Sequence, residues 1–142
     1  MMTTIVDQPP PKVTDRRPSW EIVMSYVEQI RNENAYGSSG VVAIVLADMR
    51  ERDAVGRQRY GTPLTSGNGR DHLVDAYQEY QDACVYLVTA LDEHGVGPST
   101  PLYEERIPDR KLRWHLHCVQ QLFAAQVRAL IQLRALIEER TA

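Results

Sequence analysis

Long apolar runs are missing from this 142-residue chain. None approaches the roughly 20 residues that a membrane-spanning helix needs, and the opening MMTTIVDQPPPK lacks a signal peptide's order of basic, apolar and small residues. A cytoplasmic protein with no membrane partner is therefore expected. Cysteine is scarce: only Cys84 and Cys118 occur, both in apolar-patterned segments, where buried thiols are commoner than disulfides in a reducing compartment. Lysine is nearly absent. Fourteen of the sixteen basic residues are Arg, leaving Lys12 and Lys111, so basic contacts would be planar and bidentate. A strong charge imbalance is lacking too. At net charge −3 and pI about 5.8 nothing global draws the chain to nucleic acid, no nucleic-acid partner is expected, and a basic footprint would have to be local. There is no nucleophile elbow and no Ser-His-Asp pattern, and GSSG at 37 to 40 has no following Walker lysine. HLHC, residues 115 to 118, sets His115 and Cys118 on adjacent turns, short of the four ligands of a structural zinc site.

What is present is ordinary for a soluble domain: 43% hydrophobic and 25% charged residues. Residues 1 to 18, with QPPPK and RRP, read as a flexible Pro-rich leader, because consecutive prolines favour polyproline II over helix. Residues 19 to 142 read as one helical domain. Ser19 can cap a helix, WEIVMSYVEQIRNEN, whose Trp20, Val23, Met24, Val27 and Ile30 recur at helical spacing, and AYGSSG ends it. VVAIVLADMRERDAVGRQRYG opens with a β-branched run that would suit a strand. It continues without a turn signal into helix-compatible residues, so helix is expected. After the TPLTSGNG loop a third helix is expected from about Arg70 to His94, followed by the connector GVGPSTPLYEERIP.

The segment from Asp109 to about Arg140 is the clearest helix. Leu112, Leu116, Val119, Phe123, Leu130, Leu133 and Ile137 keep a four-three alternation, broken by Gln126. Leu122, Val127, Ile131 and Leu136 widen the apolar band beyond what one neighbouring helix would cover. The expected fold is all-α, a bundle of about four helices with a long C-terminal helix, and residues 109 to 142 are expected to form a homo-oligomeric interface.

The acids raise the functional question. DHLVDAYQEYQD, residues 71 to 82, places Asp71, Asp75, Glu79 and Asp82 within an arc of roughly 80° on a helix. Such a stripe is either a solvated face or a cation site. Its opposite face carries Leu73, Tyr77, Tyr80, Cys84, Leu87 and Leu91, which favours solvation unless another layer covers the acids. Acid-x-x-acid pairs occur twice, as Asp48-x-x-Glu51 and Glu79-x-x-Asp82, against roughly 2.5 expected from composition, so their number alone carries nothing. Helical angles put Asp48 among Val41, Ile44, Val45 and Val55, with Glu51 at the edge of that face. A carboxylate buried there would have to be paired or metal-bound.

RYGTPLTSGNGRDHLVDAYQEYQDACVYL, residues 59 to 87, with the preceding ADMRERDAVGRQ, resembles a group of small phage and prophage proteins related to the all-α, MazG-like nucleoside triphosphate pyrophosphatases. The likeness covers roughly residues 45 to 92. The family carries an ExxE motif on one helix and an ExxD motif on the next, whose carboxylates hold Mg²⁺ against nucleotide phosphates. Glu79-x-x-Asp82 matches the second motif as written, while Asp48-x-x-Glu51 has Asp in the leading place of the first, with 27 residues between Glu51 and Glu79. The resemblance implies Mg²⁺ as cofactor and a nucleotide as partner, in a host's cytoplasm if the chain is phage-encoded. It implies Asp48, Glu51, Glu79 and Asp82 as metal ligands, and Glu51 and Glu79 as the catalytic pair. Asp75 would support the ligands from behind, and Arg57, Arg59 and Arg70, which bracket the intervening loop, would hold phosphate in bidentate forks. Those arginines read equally well as surface partners of nearby acids. Tyr60 and Tyr77 read as packing aromatics, with base stacking the alternative.

Three functions stay open at this point. The chain is a Mg²⁺-dependent nucleotide pyrophosphohydrolase, or it binds or sequesters a nucleotide without cleaving it, or it is a helical assembly protein whose acids merely face solvent.

Overall fold

The computed structural model describes residues 7 to 32 and 39 to 141, apart from the side chains of residues 32, 39 and 141. The chain is all-α, with α1 (Ser19–Asn32), α2 (Ser39–Tyr60), α3 (His72–Asp92) and α4 (Arg110–Thr141). No strand occurs among the described residues beyond one isolated antiparallel bridge between Pro18 and Thr65. The β-branched run Val41 to Ala47 lies inside α2. It runs into Asp48 to Tyr60 with neither Pro nor Gly before Gly56, so a strand would have had no place to stop. The AYGSSG break after α1 falls mostly outside the described residues.

By contacts the chain forms two compact units, Asp7–Arg70 and, among the described residues, 71 to 141. The boundary between the two units, after Arg70, falls inside the 19 to 142 segment. The described part of the leader belongs to the first unit. Its Lys12 N–H donates to the Asn68 carbonyl at 2.8 Å, Ser19 N–H donates to the Leu64 carbonyl at 2.8 Å, and the Thr14 hydroxyl donates to Thr65 Oγ1 at 2.6 Å. Prolines bring few N–H groups to satisfy, so a handful of such bonds is enough to hold the segment. Gly67 and Gly69, at φ +71° and +88°, turn the receiving loop, and a Cβ on Gly69 would meet the Lys12 side chain. Helix α1 begins one residue earlier than a capping Ser19 requires, because Pro18 supplies the first acceptor, to Glu21 N–H at 3.1 Å and Ile22 N–H at 3.4 Å. The core of this unit is small: among the described residues Val42 and Leu46 are its buried hydrophobics, and Thr62, Thr65 and Asn68 of the following loop are buried as well.

The second unit is an antiparallel helical hairpin. At one end Arg140, late in α4, reaches Asp71 at the start of α3. At the other, Leu91 late in α3 packs with Leu116 early in α4, and Val96 and Ile107 from the connector complete that cluster. Gly95, at φ +66°, reverses the chain so that Val96 N–H bonds the Leu91 carbonyl at 3.1 Å and both side chains enter the core. Asp109 caps α4, accepting from Lys111 N–H at 2.8 Å and Leu112 N–H at 3.0 Å. The seam predicted on α4 is therefore occupied within its own chain: Leu116 and Ile137 are fully buried, and the other seam positions are half-buried.

Gln126 interrupts that seam with a buried Oε1 that accepts no hydrogen bond among the described residues. Gln126→Leu should raise stability by about 1 kcal/mol, the usual order for relieving a buried unpaired acceptor. Urea denaturation with unchanged slope checks this, and a lowered midpoint would show that the amide is needed for packing.

Candidate functional site

The four-acid stripe does not survive as a unit, because its first member does other work. Asp71 is the N-cap of α3: its Oδ1 accepts from Leu73 N–H at 3.2 Å and Val74 N–H at 3.3 Å. Both its oxygens also accept from Arg140, at 3.0 and 2.7 Å, in a bidentate fork. The Arg140 guanidinium holds the Asp71 carboxyl below the usual carboxylate range, opposed by partial burial and helped by the two backbone N–H groups. A depressed folded-state pKa contributes stability that is present above the ordinary value near pH 4 and lost as pH falls through the folded value. Asp71→Ala should cost about 1 kcal/mol through the lost cap, whereas Asp71→Asn should keep most of that, since the ion pair is partly exposed and screened by solvent. Thermal melts at pH 7 and pH 3 check both. The alanine variant's deficit should persist at pH 7 and narrow in acid.

The remaining acids of the stripe face outward. Glu79 and Asp82 are exposed one turn apart, and neither has an ion pair or side-chain hydrogen bond among the described residues. Asp75 is partly covered, with Oδ2 3.8 Å from His72 Nδ1, an ion pair only when the imidazole is protonated.

On α2 the face expected to be buried is the exposed one. Val41, Ile44, Val45 and Val55 all lie open, Ile44 at 62%, while Val42 and Leu46 are the buried pair. Apolar residues occur around most of the N-terminal half of this helix, so its pattern gave no single direction; α1 packs on α2, whose buried hydrophobics are Val42 and Leu46. Asp48 and Glu51 are consequently exposed. Exposed to water, the Asp48 carboxylate demands neither a metal nor a partner.

The candidate phosphate-binding arginines all belong to the first unit. Arg57 Nε donates to both Asp53 oxygens at 3.0 and 3.1 Å, and that bond holds the guanidinium pKa further above its already high range. Arg70 Nη1 donates to the Pro9 carbonyl at 2.6 Å. Arg59 lies over the Tyr60 ring at 5.3 Å. Tyr77, in the second unit, lies beneath Arg134 at 5.8 Å and serves packing, as its place on the apolar stripe suggested. Asp48, Glu51, Arg57, Arg59 and Arg70 thus lie in the first unit and Asp75, Glu79 and Asp82 in the second. Among the described residues no three His, Cys, Asp or Glu side chains gather as a metal-holding group. Cys84 and Cys118 are free thiols, both half-buried. No helix among the described residues is long and apolar enough to cross a membrane.

One feature went unread in the sequence. An open groove of about 460 Å³ is lined by Leu102, Arg110, Arg113, Trp114 and His117. The signal was available: Arg110, Arg113, Trp114 and His117 follow i, i+3, i+4, i+7 spacing, on the side of α4 away from the Leu112, Leu116 and Val119 seam. Comparisons with protein-family models, with curated proteins and with solved structures found no match for this chain.

Proposed function

We propose that the chain binds a nucleoside triphosphate together with Mg²⁺ through Glu79 and Asp82 and releases pyrophosphate from it, the alternative being that it holds the nucleotide intact. The observation that supports this reading is the availability of those two carboxylates. Each is exposed and without an internal partner among the described residues, whereas Asp53, Asp71 and Glu138 are engaged by Arg57, Arg140 and Arg134. Mg²⁺ keeps much of its water and takes one or two protein carboxylates directly, so a pair such as Glu79 and Asp82, one helical turn apart, suits it. Bound there, the cation would neutralise phosphate oxygens and activate water. Of the basic candidates Arg59 is the least committed, since its recorded contact is a ring face and leaves the guanidinium edge open. The test incubates the full chain with each common nucleoside triphosphate and millimolar Mg²⁺, then separates the products chromatographically. Monophosphate with pyrophosphate supports hydrolysis, and intact nucleotide recovered with the protein supports sequestration. A chain that neither retains nor cleaves any of them overturns both.

Assembly through residues 109 to 142 is a second reading, favoured by one observation. With the seam occupied inside the chain, Leu122, Ile131 and Leu136 still stand exposed on α4. Light scattering at micromolar concentration distinguishes a dimer from a monomer.

A further inference from the structure

The groove at the start of α4 shares no residue with the carboxylate set. Its chemistry is of a different kind. Net charge is −3 for the chain, yet residues 106 to 113 hold Arg106, Arg110, Lys111 and Arg113 against Asp109 alone. Two of those arginines line the groove, and among the described residues no carboxylate does.

The other walls are aromatic. Trp114 is 67% exposed, an unusual position for so large an apolar ring. Its ring lies 5.6 Å from that of His117, tilted by 31°, so the two offer a shallow aromatic corner beside the guanidinium groups. Leu102 supplies an apolar edge from the connector.

The groove is held in place from below. Arg113 Nη1 donates to the Ile107 carbonyl at 2.7 Å, and Gln120 Nε2 donates to the Gly97 and Thr100 carbonyls at 3.0 and 2.9 Å. These bonds tie the connector to α4, and Ile107 and Val96 anchor it in the core. Arg110 makes no ion pair or hydrogen bond among the described residues, so its guanidinium is available.

We infer that this groove binds a phosphate-bearing nucleobase unit, the base stacking on Trp114 and His117 and the phosphate bridged by Arg110 and Arg113. An exposed planar ring contributes to binding when another π-face covers it, and arginine suits phosphate through its planar fork. A volume of about 460 Å³ suits one nucleotide, and the open side lets that unit be either a free nucleotide or part of a single strand. A purely electrostatic site would have no use for the exposed indole. A purely apolar one would not be rimmed by two arginines.

The experiment uses the full chain with two probes, a nucleoside monophosphate by calorimetry and a fluorescent single-stranded octanucleotide by anisotropy, at low and at physiological salt. Trp114 lies outside the core cluster, so W114A should fold, and its circular dichroism is compared with wild type. W114A should weaken binding roughly five- to 150-fold, the range for loss of one stacked base. W114F should restore most of it. R110Q should weaken binding and flatten its salt dependence, whereas R128Q, an exposed α4 arginine outside the groove, should do neither. Tighter binding of the octanucleotide than of the monophosphate identifies a strand as the source, and equal affinity per unit identifies the free nucleotide. The inference is overturned if neither probe binds saturably up to millimolar concentration, if W114A binds as wild type does, or if inorganic phosphate competes as well as the nucleotide.

Discussion

Leu91→Ala should lower the stability of the 71–141 unit by roughly 2–5 kcal/mol, the range for a large-to-small change at a fully buried site. Leu91 is 0% exposed and sits where α3, the connector and α4 meet, touching the cluster formed by Val96, Ile107 and Leu116. The truncation acts twice. It opens a cavity among side chains fixed by two helices and a bonded connector, and it removes the apolar contact that accompanies the Gly95 reversal. Leu122→Ala is the matched control, because Leu122 is 54% exposed on the same helix pair and should change stability by no more than about 0.5 kcal/mol. Denaturant unfolding followed by circular dichroism measures both. Since the 7–70 unit has only Val42 and Leu46 as buried hydrophobics among the described residues, its transition should come first and should not move with Leu91→Ala. Equal shifts for the Leu91 and Leu122 variants would mean that the cluster is not the core of the hairpin.

The long helices were legible because their signals are local and repeated. Leu112, Leu116, Val119 and Phe123 announce α4 whatever they pack on, and the unbroken course of α2 from Val41 to Tyr60 outweighs the strand preference of its first turns. Direction was harder to read. The apolar residues of α2 surround much of the helix, so the sequence named Val41, Ile44, Val45 and Val55 as the inner face where the structure buries Val42 and Leu46. Asp71 was misread for a related reason. Spacing placed it on the stripe with Asp75, Glu79 and Asp82, but its use as a cap depends on where the helix begins, and its pairing with Arg140 depends on a contact 69 residues distant. The leader shows the same limit, since its prolines forbid helix but say nothing of the Asn68 carbonyl and Thr65 hydroxyl that receive it. The α4 seam was legible from its spacing, and its Leu116 and Ile137 are buried within the chain. Its partner, the antiparallel α3 with the connector folded back through Val96 and Ile107, is a matter of topology that heptad spacing does not encode.

Mg²⁺ should raise the melting temperature of the wild-type chain if Glu79 and Asp82 hold the cation. Binding to the native state alone adds RT ln(1 + [L]/Kd), so a concentration about 100 times Kd adds about 2.7 kcal/mol. For a unit of this size each kcal/mol moves the midpoint by roughly 4–8 °C, a displacement well beyond the error of a melt. The variants Glu79→Gln and Asp82→Asn remove ligand charge with almost no change of shape, and both side chains are exposed and without a partner among the described residues, so neither should disturb the fold. Without metal their midpoints should rise only slightly: Asp71 is already neutralised by Arg140, and what repulsion remains among Asp75, Glu79 and Asp82 is exposed and screened. With metal they should lose the stabilisation and the release of pyrophosphate together. Asp92→Asn separates this from a general charge effect, because Asp92 is exposed at the far end of α3 and removes the same charge outside the proposed site. A Mg²⁺ response that Asp92→Asn abolishes as thoroughly as Glu79→Gln does would be nonspecific screening of an acidic helix. A response lost only with Glu79 or Asp82 is the mark of a site, because screening depends on the sum of charges and coordination depends on which oxygens carry them.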